Sequence, residues 1–165
     1  MPRPRNFIIK AFTSFYELVI EGGHHLRSPL LLLIRLCWGI QFFQTGYGKL
    51  TNIGKVTGFF SDLHIPFPMA NAYLVGCTEM IGGALLTIGL ASRLTAIPLI
   101  ITLVVAYLTT EQEALQKLIT FKDVDPFLTA TPFLFFFACL IILAFGPGKV
   151  SIDYLLKRRF GRERR

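Results

Sequence analysis

Apolar residues run almost unbroken from Pro29 to Lys49, from Ala70 to Arg93, from Leu94 to Leu108 and from Phe127 to Phe145. A helix rises about 1.5 Å per residue, so runs of this order suit a hydrocarbon core about 30 Å thick. The pattern predicts four spanning helices. Pro29 stands where the first begins, a position that tolerates proline. Only Ala91-Ser92-Arg93 separates the second from the third, which predicts an antiparallel hairpin, and Gly146-Pro147-Gly148 ends the fourth. Between the first two runs, Leu50 to Met69 reads as a connecting loop or short re-entrant turn, with Phe59, Phe60, Leu63 and Phe67 at the membrane boundary. Residues 109 to 127 are polar and acidic around an apolar stripe of Leu115, Leu118, Ile119 and Phe121.

The two ends follow a different pattern. Ile8, Phe12, Phe15, Tyr16 and Val19 recur at helical spacing, while Lys10, Ser14, Glu17 and Glu21 take other faces. This predicts a short helix lying in the headgroup region and ended by Gly22-Gly23, or else an arm docked on protein. Ser151 is the expected N-cap of a last amphipathic helix that runs into KRRFGRERR. The expected fold class is therefore all-α, a polytopic membrane four-helix bundle with amphipathic interfacial helices at both ends. Residues 1–28 form the arm, 29–146 the bundle and 147–165 the tail.

Composition supports this class. Of 165 residues 53% are hydrophobic and 16% charged, which is more apolar and less charged than a soluble domain. A net charge of +7 would suit nucleic acid, but 12 of the 17 basic residues lie in the arm, at Arg93 and in the tail. Basic residues flanking apolar runs mark a cytoplasmic face, so the expected topology is N-in and C-in, with membrane lipids and no nucleic acid as partners. Lys49 and Lys55 then fall on the outer side, against the trend. Lys10 breaks FIIKAF, so no cleavable signal peptide is expected. Cys37, Cys77 and Cys139 have no metal or redox spacing and read as small buried hydrophobes. His24-His25 reads as a solvated pair, no metal site is expected, and no histidine lies in a span to hold haem.

The candidate chemistry centres on Glu79, a carboxylate in the middle of a span. Such a group must face protein, find partners or be protonated. In the first span Arg35, Trp38, Gln41, Gln44 and Tyr47 form an i, i+3 row. Counting from Pro29 and Ser92 as one membrane face, Arg35 lies about 9 Å deep, Gln41 about 18 Å, Gln44 about 22 Å and Glu79 about 19 Å. Gln41 or Gln44 is thus the expected direct partner of Glu79, with Arg35 as charge balance and Lys49 about 11 Å above it. Gly76, Gly82 and Gly83 would let a neighbouring helix approach Glu79 closely. With the rings of Trp38, Tyr47 and Tyr73, the set could hold a quinone or another flat amphiphile. The rival reading is a structural clamp between Glu79 and Arg35.

RLCWGIQFFQTGYGKL, HIPFP, the Glu79 segment ending in GLASR, and GPGKVSIDYLLKRR together resemble the DoxX family of small four-helix membrane proteins. The likeness extends over about residues 30 to 159 and rests on Arg35, Gly46 to Lys49, Glu79 and Arg93; the arm stands outside it. It implies a four-helix bundle in a bacterial or archaeal cytoplasmic (inner) membrane, with redox and quinone associations, although most members have no established activity. The expected function is an integral membrane subunit of a redox-associated oxidoreductase system. Glu79 would be the proton-exchanging catalytic group, Arg35 the anchor, and Gln41, Gln44, Trp38, Tyr47 and Tyr73 the substrate-binding residues. The expected cofactor is a quinone, with none covalently bound, and the expected protein partner is another subunit or a second copy. The rivals are a non-catalytic anchor for a partner and a small-solute or proton carrier.

Overall fold

A computed structural model describes residues 4–160, with side chains for residues 9, 10 and 12–160. The Ile8 side chain and the tail beyond Phe160 therefore lie outside what is described. The described residues form helices only: α1 (Pro4–Thr51), α2 (Ile53–Asp62), α3 (Pro68–Ile88), α4 (Ser92–Thr109), α5 (Gln112–Ile119), α6 (Asp125–Thr129), α7 (Pro132–Phe145) and α8 (Ile152–Phe160). The protein is an all-α membrane protein. α1, α3 and α4 are long and apolar enough to cross a bilayer. α7 is apolar but has 14 residues, a rise of only about 21 Å.

Three expectations about element boundaries are corrected. The arm and the first span are one helix of 48 residues, and Pro29 lies inside it. Extending a helix gains one hydrogen bond per residue, whereas ending it with glycine needs the left-handed conformation. Gly89 and Gly146 have positive φ at helix ends, and Gly22 and Gly23 do not. Phe12, Phe15, Leu18 and Val19 are exposed, so the arm does not dock on the bundle. The segment after α1 contains a helix, α2, packed on α3, rather than a loop. The fourth helix begins at Pro132 instead of Phe127, because Ala130 is extended and a proline at the first turn starts a helix but cannot continue one.

α1, α3, α4 and α7 pack around one core. It joins Ile34 and Phe42 of α1, Leu86 of α3, Ala96, Leu99 and Leu103 of α4, and Ala138, Cys139 and Ile142 of α7. Outside the core the bundle is as apolar as inside: Leu33, Ile40, Leu74, Ile81, Ile101 and Leu140 are all exposed. Water would solvate such a surface poorly, and hydrocarbon solvates it well. Of the cysteines only Cys139 is buried; Cys77 is half-buried and Cys37 is exposed on this outer surface.

With lipid outside, helix association relies on close packing. α1 and α3 achieve it through glycine. A Cβ added at Gly46 would lie 2.7 Å from the Gly76 carbonyl oxygen, and one at Gly83 would lie 2.6 Å from the Gly39 carbonyl oxygen. Gly82 faces the other way, toward Leu99 of α4 at 3.0 Å. Gly46→Ala should therefore force the two backbones apart, cost about 1–3 kcal/mol, and lower the melting temperature in detergent by several degrees. Gly48, with nothing within 4 Å of its added Cβ, should accept alanine with no loss. Equal melting temperatures for the two variants would refute the seam.

Candidate functional site

On α1 the residues along the seam with α3 are Arg35, Gly39, Phe42, Gly46 and Lys49, at alternating steps of four and three; the Phe42 backbone lies against Gly83 while its ring packs on Phe135 of α7. On α3 the buried set includes Ala72, Gly76, Glu79, Gly83 and Leu86, with the same alternation. These steps keep to one helix face, as in a coiled-coil seam. The i, i+3 row from Arg35 to Tyr47 does not. Each step of three falls about 60° short of a full turn, so four steps carry the row around to the far side. Arg35 is 1% exposed at one end of that row, and Tyr47 is 58% exposed at the other.

The expected site is thereby divided in two. Gln41 and Gln44 point outward and do not meet Glu79; Tyr47 and Tyr73 are also exposed, and Trp38 packs half-buried against the core. Glu79 is paired with Lys49 instead, Nζ to carboxylate at 2.5 Å. Counted from Pro29 and Ser92 as one membrane face, Lys49 is out of reach of Glu79. The seam, however, sets Gly46 beside Gly76 and Met80. Lys49 then lies about one turn from Glu79, a gap that its long side chain spans. The Glu79 side chain is 8% exposed and the Lys49 side chain 31%, so the pair opens to the bundle surface on the lysine side. An amine donor next to a carboxylate can hold a carbonyl oxygen and exchange a proton with it.

Arg35 stands 14 residues below Lys49 on α1, about 21 Å away, and does not balance Glu79. Its Nη2 donates to the Val150 carbonyl, and Nε and Nη1 are buried without an acceptor among the described residues. The C-terminal segment folds back onto this end of the bundle. The Asp153 carboxylate accepts the N–H groups of Ala91 (2.6 Å) and Ser92 (2.9 Å), and the Asp153 N–H donates to the Gly89 carbonyl (3.0 Å). Asp153 thus caps the start of α4, where backbone donors and the helix dipole favour negative charge. Ser151 caps α8 itself, accepting the Tyr154 N–H at 3.2 Å. Gly89 closes α3 at φ 74°, and a Cβ there would collide with the Arg35 guanidinium. Arg93 and Arg27 donate to the Ala144 and Phe145 carbonyls at 3.0 and 3.1 Å, covering the C-terminus of α7.

Of the residues just described, Arg35, Lys49, Glu79, Gly89 and Arg93 lie within the region shared with a known family, and Arg27 and Asp153 lie outside it. The DoxX family model matches residues 30–112, half of the chain, from the Arg35 turn of α1 to the start of α5. The chain belongs to the DoxX family. The uncharacterized membrane protein Rv3486 of Mycobacterium tuberculosis is 31% identical over 142 residues, covering 82% of this chain and 86% of that protein. "Putative oxidoreductase CatD" of Bacillus subtilis is 35% identical over 83 residues, half of this chain and 60% of that protein. No solved structure matches the chain significantly.

Lys49→Met and Glu79→Gln should each destabilise the DoxX-type bundle by leaving a charge or polar group unpaired in the span. The double variant should lose less than the sum, by about 0.5–3 kcal/mol. Additive losses in detergent melts would show that the pair is energetically idle. Asp153→Ala should cost about 1–2 kcal/mol by uncapping α4, whereas Tyr154→Ala on the exposed face should cost little.

Proposed function

We propose that this DoxX-family chain is the membrane subunit of a redox system and that a quinone, or a similar carbonyl-bearing amphiphile, binds at Lys49–Glu79. The observation that carries the reading is the pair itself: a buried carboxylate in a span, held by an ammonium that reaches the bundle surface. Lys49 donates to one carbonyl oxygen; two-electron reduction to the quinol takes up two protons, one reaching that oxygen by way of Glu79 and the other reaching the second oxygen from water. The electron pair comes from a redox partner protein. The likeness to a B. subtilis protein named as an oxidoreductase supports the class of function. In this reading the membrane is the cytoplasmic one, with both termini inside, because Arg27, Arg93 and the basic α8 share one end of the bundle.

Mass spectrometry of the lipids and quinones that copurify with the chain tests this. Wild type should carry near-stoichiometric quinone, and Glu79→Gln and Lys49→Met should lose most of it while still folded. Equal trace amounts in all three would overturn the proposal.

A second reading, an anchor for a partner, is favoured by the arm. Residues 12–26 of α1 present Phe12, Phe15, Leu18, Val19 and Leu26 with no cover from the other described residues. A chain lacking residues 1–21 should then lose its partner in pull-downs, and Glu79→Gln should keep it. Retention of the partner by the shortened chain would exclude this role for the arm.

A further inference from the structure

At the end of the bundle opposite Lys49 lies a cleft of about 600 Å³. Four cations line it from four parts of the chain: Arg27 of α1, Arg93 of α4, Lys149 of the connection after α7, and Lys157 of α8. Asp153 is the one carboxylate on its wall, and both oxygens of that group are engaged by backbone N–H groups of the α4 cap. None of the four cations enters an ion pair among the described residues, where Lys49–Glu79 is the one found. Arg27 and Arg93 each donate one hydrogen bond to a carbonyl of α7, and Arg27 also lies over the Phe145 ring at 5.3 Å. These contacts hold the guanidiniums in place and leave further donors of each fork free.

The level of the cleft identifies the kind of anion. α3 ends at Ile88, α4 begins at Ser92 and α7 ends at Phe145. Lys149 N–H donates to Ser28 Oγ at 2.9 Å, which brings this stretch of α1 to the same height. The helix ends therefore define a plane, with the apolar bundle on one side and the basic residues on it. Leu94 and Phe145, 70% and 56% exposed, line the same cleft. Cations above an apolar wall at a membrane boundary suit a molecule with a phosphate head and a hydrocarbon tail.

We propose that this cleft binds the phosphate of one anionic membrane lipid. Its acyl chains run down the bundle past Leu94, and the bound headgroup ties α1, α4 and α8 together. The site is separate from Lys49–Glu79 and does not depend on quinone binding there.

Native mass spectrometry of the detergent-purified full chain tests this with three probes: phosphatidylglycerol, phosphatidylcholine and glycerol 3-phosphate. Wild type should retain one phosphatidylglycerol roughly tenfold or more tightly than phosphatidylcholine. Lys149→Gln with Lys157→Gln should lower that affinity roughly tenfold and leave the melting temperature of the lipid-free chain as in wild type, since both side chains are exposed. Lys117→Gln with Lys122→Gln, exposed residues at the other end of the bundle, should bind as wild type does. Equal retention of the two lipids, or unchanged affinity in the Lys149/Lys157 variant, would overturn the proposal. Glycerol 3-phosphate binding as tightly as the lipid would assign the cleft to a soluble phosphate ester and overturn the lipid reading.

Discussion

The close approach of α1 and α3 is the constraint on which the rest of this protein depends. Gly39 and Gly46 meet Gly83 and Gly76 backbone to backbone, at distances that leave no room for a side chain. In lipid no hydrophobic force drives two apolar helices together, so contact of this kind supplies the attraction. It also fixes the register. Once Gly46 lies against Gly76, Lys49 can reach Glu79, and Arg35 is carried to the turn where α3 gives way to α4.

The two polar centres that result differ in kind. Lys49–Glu79 is a small pair with one side open, its carboxylate covered and its ammonium partly exposed. The centre at Arg35 is closed: its guanidinium, Gly89, Val150 and Asp153 form a joint that clamps the C-terminal segment onto the α3–α4 turn. α8 is therefore a structural part of the bundle at its first residues, although its later face is exposed and basic. The family match reaches from residue 30 to 112, so it contains both Arg35 and Glu79 but not the segment that Arg35 holds.

Much of the architecture was legible in the order of the residues. The apolar runs, the short α3–α4 connection, the cap at Ser151 and the end at Gly146 each arise from local chemistry within a few residues, whereas the end of α3 at Gly89 was not read from the sequence. The partner of Glu79 was not legible through the row from Arg35 to Tyr47, because steps of three wind around the helix. The alternation of four and three in Arg35, Gly39, Phe42, Gly46 and Lys49 marks the true face. It is visible in the sequence, but glycine there draws less notice than tryptophan or glutamine. The same limit applies to Gly22-Gly23, where a doublet that often ends a helix is simply carried through by the helix on either side.

The sequence by itself determined that this is an all-helical membrane protein, that a carboxylate lies inside a span, and that positive charge gathers at the two ends. Those properties come from composition and periodicity, which are summed along the chain and do not depend on which helix neighbours which. Only the tertiary structure decided that Lys49 answers Glu79, that Arg35 serves a backbone turn, and that Arg27, Arg93, Lys149 and Lys157 surround one cleft. The reason is geometric. These residues are far apart along the chain, and a shift of one helix past another by a single turn, about 5.4 Å, changes every such partner while leaving each helix as it was.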